Sequence, residues 1–348
     1  MANLAFLMEQ DEKYMTRALQ LAAMGRGHVS PNPMVGCVIV HEDSIIGEGY
    51  HEQFGGPHAE VHALQSVHDE SLLPKSTVYV TLEPCSHHGK TPPCADLLVK
   101  KQVKKVVIAV SDPNPQVNGS GITRMRDAGI EVVTGVLKEK SEALNIRFNT
   151  YHRKKRPYVI LKWAQTADGF IARANYDSKW ISNPQSRQLV HKWRTEEDAI
   201  LVGTQTALHD DPALTARDWV GRNPTRIVID RSLRLPGHLQ LFDGAVPTLV
   251  FNTKKQETQP NLEWIKLSGE NTVTEILEQL HQRTIASLLV EGGRATLQQF
   301  LKTGLWDEAR VFINPVTFAK GIKAPLITAA PKETVQILND TLHYYFPL

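Results

Sequence analysis

The sequence predicts an α/β protein of two layered units, residues 1–150 and 157–348. Three observations carry this. Short apolar runs of strand length alternate with stretches of helical spacing, the pattern of helices packed on a sheet. The chain has 348 residues, enough for two hydrophobic cores. The basic cluster His152-Arg153-Lys154-Lys155-Arg156, with Tyr151 before it and Pro157 after it, interrupts the alternation near the middle.

In the first unit, Asp11 to Met24 has apolar residues at helical spacing, and Gly25 ends it. Pro31-Asn32-Pro33-Met34-Val35-Gly36 is a rigid turn into a strand from Cys37 to Val40, and Ser44 to Tyr50 pairs with it as a hairpin. A helix follows from His58, then a strand from Thr77 to Leu82 and a helix after Pro93. Lys105 to Val110 is a strand that ends in the polar loop Ser111 to Pro115, where Asp112 and Asn114 cap a turn. Asn118 to Ala128 is a helix capped by Gly129, Ile130 to Val133 a strand, and Lys138 to Thr150 a closing helix.

In the second unit, the strand Tyr158 to Trp163 runs into a turn at Ala164 to Gly169. Asn183 is an N-cap and Pro184 the first residue of a helix to about Arg194. Asp198 to Gly203, Arg226 to Asp230, Thr248 to Phe251, Ala286 to Val290 and Arg310 to Pro315 read as strands. Thr272 to Arg283 is an amphipathic helix, and Glu291-Gly292-Gly293-Arg294 opens another. Strand, glycine pair, helix suits an anion, although a glycine pair is first of all a turn.

Charge and cysteine content narrow the function classes. The net charge of +2 implies no strongly acidic or basic partner, so the basic cluster reads as a linker or helix end and not as a nucleic-acid site. Three cysteines, one of them in the apolar run around Cys37, do not make a disulfide framework, and a reducing, cytoplasmic compartment is expected. Met1 to Met8 is a poor signal peptide, and no stretch is long enough to span a membrane.

The chemistry concentrates in His58-Ala59-Glu60 and in Pro84-Cys85-Ser86-His87-His88-Gly89-Lys90-Thr91-Pro92-Pro93-Cys94. Zn²⁺ takes thiolate and imidazole ligands in a tetrahedron, and a catalytic site leaves one position to water. His58, Cys85 and Cys94 are the candidate ligands. Two thiolates neutralise the metal and make it a weaker acid toward its water, so a nearby carboxylate must assist as general base. Glu60 is that candidate. Zinc nucleobase deaminases show H-x-E followed by P-C-x-x-C, but here eight residues separate the cysteines. A structural zinc site with His87 or His88 as fourth ligand stays open, though it leaves Glu60 without a task.

Together with Pro31-Asn32-Pro33 and Asp112-Pro113-Asn114-Pro115, these motifs resemble the deaminase half of the bifunctional deaminase–reductase family of riboflavin biosynthesis. That family's cysteine loop reads P-C-S-H-H-G-[KR]-T-P-P-C, which residues 84–94 match throughout. The second half resembles the family's reductase at Lys162 to Gly169, Trp180-Ile181-Ser182, Arg194, Asp198 to Gly203, Asp210 to Arg217 and Glu291-Gly292-Gly293. The resemblance implies a cytidine-deaminase-like α/β/α unit followed by a dihydrofolate-reductase-like α/β unit. It implies zinc-dependent deamination of a diaminopyrimidinone carrying a ribosylamino phosphate, then NADPH-dependent reduction of the ribosyl group.

By the same resemblance Lys90, His51 and Asn32 would meet substrate in the first site. Ser178, Arg194, Leu214, Arg217 and Glu291 would touch it in the second. Gln165, Trp180, Thr206, Asp210 and the run Gly293-Arg294-Ala295-Thr296 would hold NADPH. A homo-oligomer with a small-molecule partner is expected. The second half departs from the family at Thr166-Ala167-Asp168-Gly169, where Ser-Leu-Asp-Gly is usual, at Arg231 and at Ala319-Lys320-Gly321. A zinc deaminase of another nucleobase or of tRNA, with a degenerate second domain, is one alternative. A non-catalytic structural zinc module is the other.

Overall fold

The structure, a computed structural model, describes residues 2–86, 92–114 and 118–347, with side chains from residue 9 onward. It divides into two compact units, residues 1–154 and 155–348.

The first unit runs α1 (Ala2–Ala23), β1 (Gly36–His41), β2 (Ser44–Tyr50), α2 (Ala59–Gln65), β3 (Thr77–Val80), α3 (Cys94–Lys100), β4 (Lys105–Ile108), α4 (Ser120–Asp127), β5 (Glu131–Thr134), α5 (Lys138–Leu144) and α6 (Ile146–Lys154). The sheet order is β2-β1-β3-β4-β5. β1 is antiparallel to β2 and β3, while β3, β4 and β5 are parallel. Strand alternation separates two cores. Val38 and Val40 face Tyr14, Met15, Ala18 and Leu21 of α1. Cys37 and Ile39 face α2, α3 and α4 through Ala63, Leu98, Ile122 and Met125. Gly36 is needed where α1 crosses β1, because a Cβ there would lie 2.0 Å from Ala18 O.

The second unit runs β6 (Tyr158–Thr166), β7 (Phe170–Ala172), α7 (Pro184–Glu196), β8 (Ala199–Gly203), α8 (Thr204–Asp210), β9 (Thr225–Ile229), β10 (Thr248–Asn252), β11 (Glu257–Gln259), β12 (Leu262–Lys266), α9 (Thr272–Gln282), β13 (Ser287–Val290), α10 (Arg294–Thr303), β14 (Glu308–Asn314), β15 (Ile322–Lys323), β16 (Glu333–Ile337) and β17 (Asp340–Tyr345). Ten strands form one sheet, β11-β12-β10-β9-β8-β13-β6-β14-β17-β16. From β12 to β14 every neighbouring pair is parallel. The outer strands β11, β17 and β16 are antiparallel. The strands β8, β10 and β13 are nearly continuous apolar runs, as expected of parallel strands covered by helices.

Several expectations need correction. The first helix begins at Ala2, nine residues before the expected start at Asp11, since no Gly or Pro breaks the chain between them. The single helix expected over 138–150 is two, separated at Asn145. Asn145 leaves the helical path because its amide takes over the backbone of Met34, accepting from Met34 N and donating to Met34 O, both at 2.8 Å. Residues 164–166 continue β6 as strand because β14 pairs with them as far as Asn314 and Thr166. The short helix α8 and the strands β7, β11, β12 and β15 to β17 were not expected, being too short or too polar to show a period.

Candidate active sites

The first site lies where α2 and α3 begin. Gly55-Gly56-Pro57 stops the preceding chain, and His58 is the N-cap of α2. Cys94 opens α3, with Pro93 as its N-cap. Cys85 lies in the loop beyond β3, and the amide of Cys94 donates to its Sγ at 3.3 Å. The amide at the start of α3 therefore favours a thiolate at Cys85. His58 Nδ1 lies 3.6 Å from Cys85 Sγ and 3.3 Å from Cys94 Sγ, and the three donor atoms lie within 4.8 Å of one another. Tetrahedral Zn–S and Zn–N bonds place ligand atoms about 3.5 to 3.8 Å apart, so both spacing and donor set fit zinc.

Glu60 sits in the first turn of α2 at 3% exposure, with its carboxyl against Cys94. Burial raises its pKa, and the negative charge at Cys85 raises it further. The Cys94 thiol, which donates to it, and His58 hold Cys85 well below the usual thiol range. His51 is buried beside His58, with ring centroids 5.6 Å apart. Its Nδ1 lies 2.9 Å from Pro57 O, and its Nε2 lies 3.1 Å from Asn32 Nδ2. The proton is therefore on Nδ1, and the Asn32 amide donates to Nε2. Burial, which lowers the pKa of His51, keeps the ring neutral. The structure thus brings His51, Asn32, His58, Glu60, Cys85 and Cys94 into one region. Lys90, His87 and His88 lie outside the described residues.

One supporting residue escaped the sequence reading. Glu83 is buried at 3% and accepts from the amides of Asp112, Gly119, Gly121 and Ile122 at 2.9 to 3.3 Å. It ties the Cys85 loop to the start of α4. Gly121 permits this, since a Cβ there would lie 2.2 Å from Pro84 O. The only signal was position, a carboxylate at the end of an apolar strand. The expected turn at Asp112 is present, with Asn114 N donating to Asp112 Oδ1 at 2.8 Å.

The second site is a cleft of about 1500 Å³ in the second unit. It follows the carboxyl ends of β8, β9, β10 and β13, the usual ligand edge of a parallel sheet. Ser178, Arg194, Leu214, Arg217 and Glu291 all line it. So do Trp180, Thr206, Asp210 and the run from Gly293 to Thr296. Gln165 does not line it, and its Oε1 accepts from Trp163 Nε1 at 2.8 Å. Lys162, for which no separate role was expected, stands in the floor, 3.5 Å from Glu291.

Arg194 grips Glu291 with two hydrogen bonds of 2.9 Å and donates a third to Thr215 O at 3.0 Å. Burial pushes Glu291 up, but Arg194 and Lys162 outweigh that and hold it at about 2. Ser178 donates to Asp210 at 3.2 Å, linking an expected substrate contact to an expected cofactor contact. Trp180 is 67% exposed at the rim, under the guanidinium of Arg187. Gly293, at φ 59°, is the N-cap of α10, and Gly292 lets that corner touch β8, since its Cβ would lie 2.3 Å from Val202 Cα.

Comparison with known proteins decides the family. The model described as RibD C-terminal domain matches residues 157–337. The chain belongs to the RibD family. Residues 8–110 match the cytidine and deoxycytidylate deaminase zinc-binding region, so this chain has both parts, deaminase and reductase. The riboflavin biosynthesis protein RibD of Aquifex aeolicus is 43% identical over 91% of this chain and 90% of its own. That of Escherichia coli strain K12 is 41% identical over 88% of each. A solved diaminohydroxyphosphoribosylaminopyrimidine deaminase/5-amino-6-(5-phosphoribosylamino)uracil reductase from Thermotoga maritima covers 98% of this chain and 99% of its own, at 41% identity and a TM-score of 0.89. RibD of Acinetobacter baumannii aligns with the same score at 33% identity, over 98% of this chain and 99% of its own.

Proposed function

We propose that the chain performs two consecutive reactions on one phosphorylated pyrimidine. The first removes the ring C2 amino group of 2,5-diamino-6-(5-phosphoribosylamino)pyrimidin-4-one by hydrolysis. The second reduces the ribosyl group to ribityl with NADPH. The observation that carries this is the meeting of three soft donor atoms with a buried carboxylate two residues from one of them.

His58, Cys85 and Cys94 would hold zinc, which when bound supplies Lewis acidity to water. Glu60 takes a proton from the attacking water and delivers it to the departing amine, which leaves as ammonia. Its raised proton affinity suits both halves of that transfer. His51 fixes the amide of Asn32, so that Asn32 Oδ1 is presented to accept from the pyrimidine, and Lys90 meets a polar group of the same ligand.

In the cleft NADPH, when bound, would supply hydride to the ribosyl C1′ as the C1′–O4′ bond opens and its oxygen takes a proton. Trp180, Thr206, Asp210 and Gly293 to Thr296 would position the cofactor. Ser178, Leu214 and Glu291 touch the substrate. Arg194 has three of its five N–H groups engaged already, so Arg217 carries the larger share of the phosphate contact.

We further read the protein as a cytoplasmic homo-oligomer. Among the described residues no helix is long and apolar enough to cross a membrane. Light scattering on the purified protein tests the oligomeric state. The decisive experiment follows ammonia release from the diaminopyrimidinone with and without NADPH. Ammonia in both cases, with NADPH oxidation only after deamination, is expected. No ammonia from zinc-loaded protein overturns the reading, and oxidation before ammonia release overturns the order.

A further inference from the structure

The segment that carries Arg217 is held from one side by α7. Arg194 donates to Thr215 O at 3.0 Å. Three residues earlier, and so on the same face of the helix, His191 Nε2 lies 3.1 Å from Asp218 Oδ2. Lys192 lies over the ring of Trp219. Behind the segment, Asn223 Oδ1 accepts from Ala216 N at 2.9 Å. Arg217 itself is exposed and lines the cleft, so its backbone is clamped on both sides while its guanidinium stays free to reach a ligand.

His191 is an odd choice for a purely structural contact. It is 5% exposed, and its Nδ1 is buried with no hydrogen-bond partner among the described residues. A buried polar atom left unpaired is destabilising, and an apolar side chain would fill the space more cheaply. Protonating that orphan nitrogen would waste a donor, so the ring carries its proton on Nε2, facing Asp218.

We propose that His191 is a positioning residue for recognition of the substrate phosphate, acting through Asp218 on the segment that presents Arg217. This rests on the reading of Arg217 as a phosphate contact.

The test uses the full chain and the deaminated substrate with and without its 5′-phosphate, reading NADPH oxidation near neutral pH. His191→Leu is expected to raise KM for the phosphorylated form about tenfold, the effect of one hydrogen bond to a charged group, with kcat within about twofold. KM for the form without phosphate should not move. His191→Gln, whose amide N–H can reach Asp218, should recover most of the loss. Asp218→Ala, at an exposed position, should repeat the defect even where His191→Leu fails to fold. In an Arg217→Ala background the His191 substitutions should add nothing. Equal KM changes for both substrate forms, full additivity with Arg217→Ala, or unchanged KM in Asp218→Ala would each overturn the proposal. Arg217→Ala that leaves KM alike for both forms would overturn the phosphate reading instead, whatever His191 does.

Discussion

The two candidate sites are built in opposite ways. The first gathers its ligands and its carboxylate from two short stretches, 58–60 and 85–94, at the starts of two helices. The second draws on residues from Lys162 to Thr296, spread over strands, helices and the loops between them. A metal centre needs few atoms close together, so its chemistry can be local in sequence. A cleft for a dinucleotide and a sugar phosphate needs a long edge, which a parallel sheet supplies from distant parts of the chain.

The largest separation between the sites should come from Glu60→Gln. Deamination is expected to fall roughly 10³-fold while reduction of the deaminated intermediate keeps its rate. Ammonia release and NADPH oxidation, measured on one preparation with its zinc content, check this. Unchanged ammonia release would remove Glu60 from the mechanism.

Stripping zinc with a chelator, or Cys85→Ser, should abolish deamination and again spare reduction. Elemental analysis should give about one zinc per chain in the untreated protein, as a three-ligand site holds a single ion. If reduction were lost in step with zinc, the independence of the two sites would be refuted.

A smaller effect is expected from Glu83→Gln. The neutral amide cannot serve four backbone N–H groups as a carboxylate does, and about 1 to 3 kcal/mol of stability should be lost from the first unit. Chemical denaturation followed by deaminase activity reads it, and the reductase midpoint should stay in place.

The smallest change is one of acid tolerance. Glu291 is depressed to about 2 by Arg194 and Lys162, outweighing its burial. Its contribution is therefore present above the ordinary glutamate range and is lost only as pH falls toward that value. Arg194→Ala removes the neighbour with the larger effect, so the acid transition of the reductase unit should move upward in pH. An acid titration followed by tryptophan fluorescence would show it, and an unmoved transition would mean that Lys162 alone holds the carboxylate.

What could be read from the sequence follows the same division. His58, Glu60, Cys85 and Cys94 have distinctive chemistry at short spacing, so the meeting of these three donors and a carboxylate was visible from the residues themselves. The N-cap of α7 was visible too, because Asn183-Pro184 is a local signal, and the Asn183 side chain accepts from Ser186 N. Lys162 and His191 carry no such signal. A lysine in a strand and a histidine in a helix gain meaning only when the sheet brings Glu291 and Asp218 beside them. The helix break at Asn145 is non-local for the same reason, since its partner lies at Met34. The seven-strand parallel order in the second unit was likewise beyond reach, because pairing between β6 and β13 joins residues far apart in the chain.

That grip of Asn145 on Met34 bears on how the protein can be cut apart. The turn around Asn32 is held by a side chain from near the end of the first unit, well past residue 110, where the match to the deaminase zinc-binding region stops. A fragment trimmed to that match would keep every metal ligand and lose the brace behind the turn. A freestanding deaminase made from this chain should therefore extend through α6, to residue 154.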